Sequence, residues 1–138
     1  MLDENDVIKA ISAYLRRKGY KILQELTTWD PGIDIIAKNR KTGARALVEA
    51  KGGTSSKEGT ERYGKPFDPP QVMDRVAKGV YEVLKLRADN PGVRKTKVIL
   101  ACPDTKLFRK HLSPIKRFAR DLGIQILLVQ ENRKVARF

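Results

Sequence analysis

Gly32-Ile33-Asp34-Ile35-Ile36-Ala37-Lys38, then Asn39-Arg40-Lys41-Thr42-Gly43, then Ala44-Arg45-Ala46-Leu47-Val48-Glu49-Ala50-Lys51-Gly52, is the stretch that decides the fold. Its two flanking runs are apolar enough for strands, and the segment between them carries the Asn and Gly of a hairpin connection. An antiparallel hairpin sets the start of one strand beside the end of the other. Asp34 then falls next to Glu49 and Lys51, while Glu49 and Lys51, two residues apart, point to one face with Leu47. Charge inside apolar strands is costly unless it is paired. Two carboxylates and an ammonium can hold a divalent metal and act on a phosphate. The alternative is a salt bridge between adjacent strands at the sheet end.

Before the hairpin, Val7, Ile8, Ile11, Tyr14 and Leu15 recur at helical spacing, which predicts a helix over Asp3–Lys18 with Asp3 as its cap and Gly19 as its stop. Tyr20–Leu26 reads as a strand, and Trp29-Asp30-Pro31-Gly32 as the turn into the strand Ile33–Lys38. Beyond the strand Ala44–Lys51, Gly52–Phe67 is one long irregular segment with little to bury, a length that usually signals function or mobility. A helix from Asp68 to about Leu86 carries the stripe Val72, Val76, Val80, Val83 and Leu84. Lys97–Cys102 is apolar throughout, as an inner strand covered on both faces should be. Ser113-Pro114 opens a helix through Leu122, and Ile124–Val129 is the last strand; Glu131–Phe138 is too short and mixed to assign. The order α-β-β-β-α-β-α-β over residues 1–138 predicts a single α/β domain, a mixed central sheet flanked by helices.

The chain has 138 residues and a formal net charge of +13, an excess that favours a polyanionic partner over neutral small-molecule chemistry. No run approaches the ~20 apolar residues of a membrane span. The acidic Met1–Asp6 does not resemble a signal peptide, and a lone cysteine, Cys102, allows no internal disulfide. A reducing, cytoplasmic setting is the expectation. Lys106, Arg109, Lys110, His111, Lys116, Arg117 and Arg120 crowd one region, and Arg16, Arg17 and Lys18 another. Such residues suit phosphate contacts that position a nucleic acid without reading its sequence. Lys57, Arg62, Tyr63 and Lys65 give the long loop the same character, against the alternative of a plain tether. Arg75 and Lys78 extend it along the polar face of the helix from Asp68.

Gly32-Ile33-Asp34 followed by Glu49-Ala50-Lys51-Gly52, on the second and third strands after an N-terminal helix, resembles the PD-(D/E)XK nuclease superfamily. Its core order αβββαβ matches the chain from about Asp3 to Cys102, with Ile33 in place of the family's proline. The resemblance implies a restriction-endonuclease-like fold and Mg²⁺- or Mn²⁺-dependent hydrolysis of nucleic-acid phosphodiesters, with DNA the expected substrate. It makes Asp34 and Glu49 metal ligands, aided by the Ala50 carbonyl, and Lys51 the catalytic lysine. Members such as archaeal Holliday-junction resolvases carry an acid in the first helix that reaches the metal. Glu4, four residues before Ile8 and seven before Ile11, can fill that place, or can simply complement the helix dipole. Other members place a glutamine on the helix after the third strand. Gln71 stands there, although Asp68 and Gln71 also have capping-box spacing. A homodimer is implied by the same resemblance. The competing classes are a binding module of this fold without the chemistry, and a structural or assembly protein bound to RNA or an acidic partner.

Overall fold

The structure is a computed structural model that describes residues 1–55 and 59–138. It begins with α1 (Glu4–Arg17), whose first turn is closed by a reciprocal capping box: Asp6 N–H donates to the Asp3 carboxylate at 2.8 Å and Asp3 N–H to Asp6 at 3.0 Å. Gly19, at φ +90, turns the chain out of the helix in a conformation that other residues adopt at a cost. Three strands follow, β1 (Tyr20–Glu25), β2 (Ile35–Asn39) and β3 (Arg45–Ala50), each pairing antiparallel with the next. Helix α2 (Pro69–Asp89) crosses back to β4 (Thr96–Pro103), and α3 (Lys106–Leu112), a 3-10 turn (Ser113–Ile115) and α4 (Lys116–Asp121) lead to β5 (Ile124–Val129). Strand β6 (Val135–Arg137) ends the sheet.

The six strands lie in sequence order, with β3, β4 and β5 parallel and the outer pairs antiparallel. This is a mixed α/β architecture with helices on both faces, in agreement with the predicted class. The two faces build two cores. On one, Val7, Ile8 and Ile11 of α1 pack on Ile35, Val48, Ile99 and Leu127. On the other, Val72, Val76 and Val83 of α2 and Phe108 and Leu112 of α3 pack on Val98, Leu100 and Ile126. Burying each such side chain contributes roughly 1.5–3 kcal/mol against the entropy of ordering it.

Three expectations are corrected. The helix assigned to Ser113–Leu122 is preceded by α3, capped by Thr105, whose hydroxyl accepts from Phe108 N–H at 3.2 Å. Leu84 is exposed rather than buried, because the stripe of α2 runs through Val72, Val76, Gly79, Val83 and Arg87. The long loop is also not free of buried residues. Gly52, Gly53 and Thr54 are enclosed, and Thr54 bridges Asp3 on one side and Pro66 on the other. No helix of the described residues is long and apolar enough to cross a membrane.

Candidate active site

The register of β2 against β3, Ile35 opposite Val48 and Ile36 opposite Leu47, continues one step to set Asp34 against Glu49. Asp34 lies just before β2, and its carboxylate accepts the Ala50 N–H at 2.8 Å. That bond ties the acid to the strand carrying the other two charges. Glu49 and Lys51 project from the face of β3 that α2 covers, and Lys51 Nζ meets Glu49 Oε1 at 2.8 Å. All three are buried, with relative exposures of 6% for Asp34 and 9% for Glu49 and Lys51. The sequence thus places them together at the carboxyl edge of the parallel strands, where open α/β sheets place their ligand crevices.

Helix α2 can lie close over Lys51 because position 79 is glycine. A Cβ there would stand 2.8 Å from Leu100 Cδ1 and 3.3 Å from Lys51 Cγ. Helix α1 is held to the same edge from the other side. A Cβ on Gly52 would collide with the Glu4 backbone nitrogen, so the exit of β3 and the start of α1 touch backbone to backbone. This contact brings Glu4 into the field of the trio.

Burial pushes Asp34 from its ordinary 3.8 up to about 6, reinforced by Glu4 and Glu82 and opposed by the Ala50 N–H and Lys51. Burial likewise raises Glu49, partly offset by Lys51, with Asp34 and Glu82 adding to the rise. Glu4 is raised by burial too, with Lys51 and Arg75 opposing and Glu49 reinforcing. Burial works to lower Lys51, but the charge and hydrogen bond of Glu49, with Glu4 and Asp34, outweigh it and hold the ammonium above its usual range. The cluster is therefore an anionic island: three carboxylates around one ammonium in a chain of net charge +13. Cys102 lies close by, but burial pushes its thiol up to about 12, so it is not a nucleophile at neutral pH.

Two carboxylates and a backbone carbonyl, from Asp34, Glu49 and Ala50, are hard oxygen donors that suit Mg²⁺ or Mn²⁺ and leave positions for water and phosphate. Among the described residues, no three Asp, Glu, His or Cys side chains converge closely enough to hold a metal by themselves. Glu4 is therefore near enough to be felt electrostatically but does not complete a cage.

Other predicted residues scatter. Gln71 forms the capping box, accepting Asp68 N–H at 2.9 Å while its own N–H donates to Asp68, and it lines a cavity of about 270 Å³ with Arg62 and Lys65. Arg75 stacks on Phe67 at 4.7 Å and, with Glu4, Gly52 and Arg62, lines an adjoining cavity of about 300 Å³. Arg62, Lys65 and Arg75 thus stand at the acidic edge, and Lys78 is exposed on the next turn of α2. Arg109 is held by Asp104, at 2.5 Å and 3.0 Å, so its charge is balanced within the protein; Lys110 beside it is exposed. Arg16 and Arg17 sit at the opposite end of α1 from Glu4. Lys57 lies outside the described residues. Glu82 and Gly79 were missed. Neither has a local signal, since a glutamate on the polar face of a helix and an isolated helical glycine acquire meaning only through β3.

No protein-family model matches the chain, and no curated protein sequence matches it. Among solved structures, SfsA of Pyrococcus furiosus, determined in complex with Ca²⁺, is similar at 16% identity and a TM-score of 0.42. The match covers 94% of this chain and 58% of that one, so the chain spans little more than half of that protein's length. A likeness this remote supports no assignment of activity.

Proposed function

We propose that the chain is a metal-dependent nuclease that hydrolyses phosphodiester bonds of nucleic acid, DNA in the first instance. The observation supporting this is the buried anionic island on an otherwise strongly cationic chain. Three carboxylates with raised proton affinity invite a divalent cation, while the surrounding surface invites a polyanion. Asp34, Glu49 and the Ala50 carbonyl would hold the ion, which when bound neutralises phosphate charge and lowers the pKa of a bound water. The Ala50 N–H fixes Asp34 in place before any ligand arrives. Lys51, fully charged and held by Glu49, offers a donor to a phosphate oxygen at the mouth of the site. Gly79 lets α2 pack on the stem of Lys51, which keeps its head against Glu49. Arg62, Lys65 and Arg75 supply backbone contacts at the same edge. Two such chains in a homodimer would serve the two strands of a duplex.

The test is cleavage of labelled duplex, junction, flap, single-stranded DNA and RNA with Mg²⁺, Mn²⁺ or chelator. Cleavage should require metal and fall at least ~100-fold in Asp34→Asn and Lys51→Met. Activity that survives both substitutions refutes the assignment. A second reading is a binding module that keeps the fold without the chemistry. It is favoured by the closed Glu49–Lys51 ion pair and by the lack of a three-ligand cluster among the described residues. Metal-independent DNA binding with no cleavage of any substrate would establish it.

A further inference from the structure

Lys18 from one basic cluster and Lys116 and Arg120 from the other, about a hundred residues apart in sequence, line adjoining cavities at the edge of the sheet opposite the acidic trio. Lys18 follows α1, Lys97 lies at the start of β4, Lys116 and Arg120 belong to α4, and Arg137 ends β6. One cavity of about 250 Å³ contains Lys97, Lys116, Arg120, Arg137 and Phe138 in its lining. A second, of about 240 Å³, contains Lys18, Lys97 and Arg137. The two share Lys97, Gln125 and Arg137, and so adjoin along the amino edge of β4 and β5, where together they make a groove. Among the described residues, no Asp or Glu side chain lines either cavity, and no ion pair engages any of the five cations.

Aromatic rings hold three of these cations where acids would normally do so. Lys18 stands over Tyr14 at 5.5 Å, Lys97 over Tyr20 at 5.9 Å and Lys116 over Phe138 at 4.4 Å. A ring face attracts an ammonium without cancelling its charge. Five like charges along one groove repel one another, and they remain fully available to an anion. Arg109 lies over the same Phe138 ring at 5.4 Å but, unlike Lys116, is also paired with an acid, Asp104.

We propose that this groove is a second polyanion site, which takes the phosphate backbone of a nucleic-acid strand independently of the acidic cluster. Six residues of β3 separate the two edges. At ~3.3 Å per residue that is about 20 Å, so a strand lying in the groove does not have its scissile bond there. The groove grips; it does not cut. The predominance of cations in the lining suits binding through the phosphate backbone.

The probe is a fluorescent thymidine octamer read by anisotropy in EDTA across a salt series, so that an inactive acidic site would leave the measurement intact. Neutralising Lys97, Lys116, Arg120 and Arg137 to Gln should weaken binding at least 10-fold. It should also flatten the log–log salt slope by about 3, since each lost single-strand contact removes ~0.7. A control with the same charge loss, Lys9, Lys21, Lys85 and Lys134 to Gln, should change affinity by less than 3-fold. If the fourfold groove variant melts early, Lys97→Gln with Arg137→Gln carries the test, with about half the slope change. Equal losses in groove and control variants, or none in the groove variant, overturn the proposal. Displacement of the octamer by ATP at matched phosphate concentration would assign the groove to free nucleotides and overturn the strand assignment.

Discussion

Asp34→Asn should make the metal-free protein more stable while removing its response to metal. The native carboxyl keeps its proton to about pH 6, against an ordinary 3.8 in the unfolded chain. Between those values the folded state binds more protons than the unfolded one, so stability falls as pH rises. Well below pH 3.8 the group is neutral in both states and has no effect. Above about pH 6 the full cost persists, roughly 3 kcal/mol at 1.36 kcal/mol per tenfold change in proton affinity. An asparagine carries no charge to bury, and its amide oxygen can still accept the Ala50 N–H. For a chain this size, ~2.1 cal/mol/K per residue converts 3 kcal/mol into a rise in Tm of about 10 °C at pH 7.5. Calorimetry in EDTA from pH 4 to 8 reads the effect directly. The two proteins should differ least near pH 4 and diverge up to pH 6. Saturating Mg²⁺ should then raise wild type by ~2.7 kcal/mol at a hundredfold excess over Kd and leave the variant unmoved. An Asp34→Asn protein that is less stable in EDTA at pH 7.5, or one that gains as much from Mg²⁺ as wild type, would refute the reasoning.

The same geometry sets three further outcomes. Lys51→Met leaves Glu49 buried without its partner and should destabilise the fold by ~2 kcal/mol at neutral pH in urea titration, with much of the loss recovered near pH 4 as Glu49 protonates. Gly79→Ala gains ~1 kcal/mol of helix propensity but drives a methyl into Leu100 and the stem of Lys51. Cleavage should fall at least ~10-fold while urea stability drops by no more than ~2 kcal/mol, and a stabilised, fully active variant would contradict the packing. Gly52→Ala drives its methyl into the Asp3–Glu4 backbone and cannot be relieved by a side-chain shift. It should cost more than ~3 kcal/mol and expose the first turn of α1 to hydrogen exchange.

The hairpin and its three charges were legible because every relation involved is short in sequence: a five-residue turn, a register, a period of two. Capping at Asp3 and at Asp68 was legible for the same reason. Helix α3 was not, since Lys106–Leu112 is a short basic helix whose two buried residues, Phe108 and Leu112, are too few to show a period. Strand β6 exposes Ala136 and Arg137, so it alternates too little to be distinguished from a tail. The anchoring of Gly52 to Asp3 and Glu4, the seat of Gly79 on Lys51 and the cationic groove each join segments far apart in the chain. No local pattern encodes them.

The hairpin that supplies Asp34, Glu49 and Lys51 closes locally, whereas β3 must wait for residues some fifty positions later before it gains β4. During that interval the apolar edge of β3 stands unpaired, which is the state from which chains cross-pair into aggregates. The buried charges are then in water, where they interrupt Ile33–Ala37 and Leu47–Ala50 and act as gatekeepers against intermolecular β-stacking. The groups that burden the finished structure therefore guard the nascent one, and a variant in which all three are neutral should refold in lower yield even where its native state is more stable.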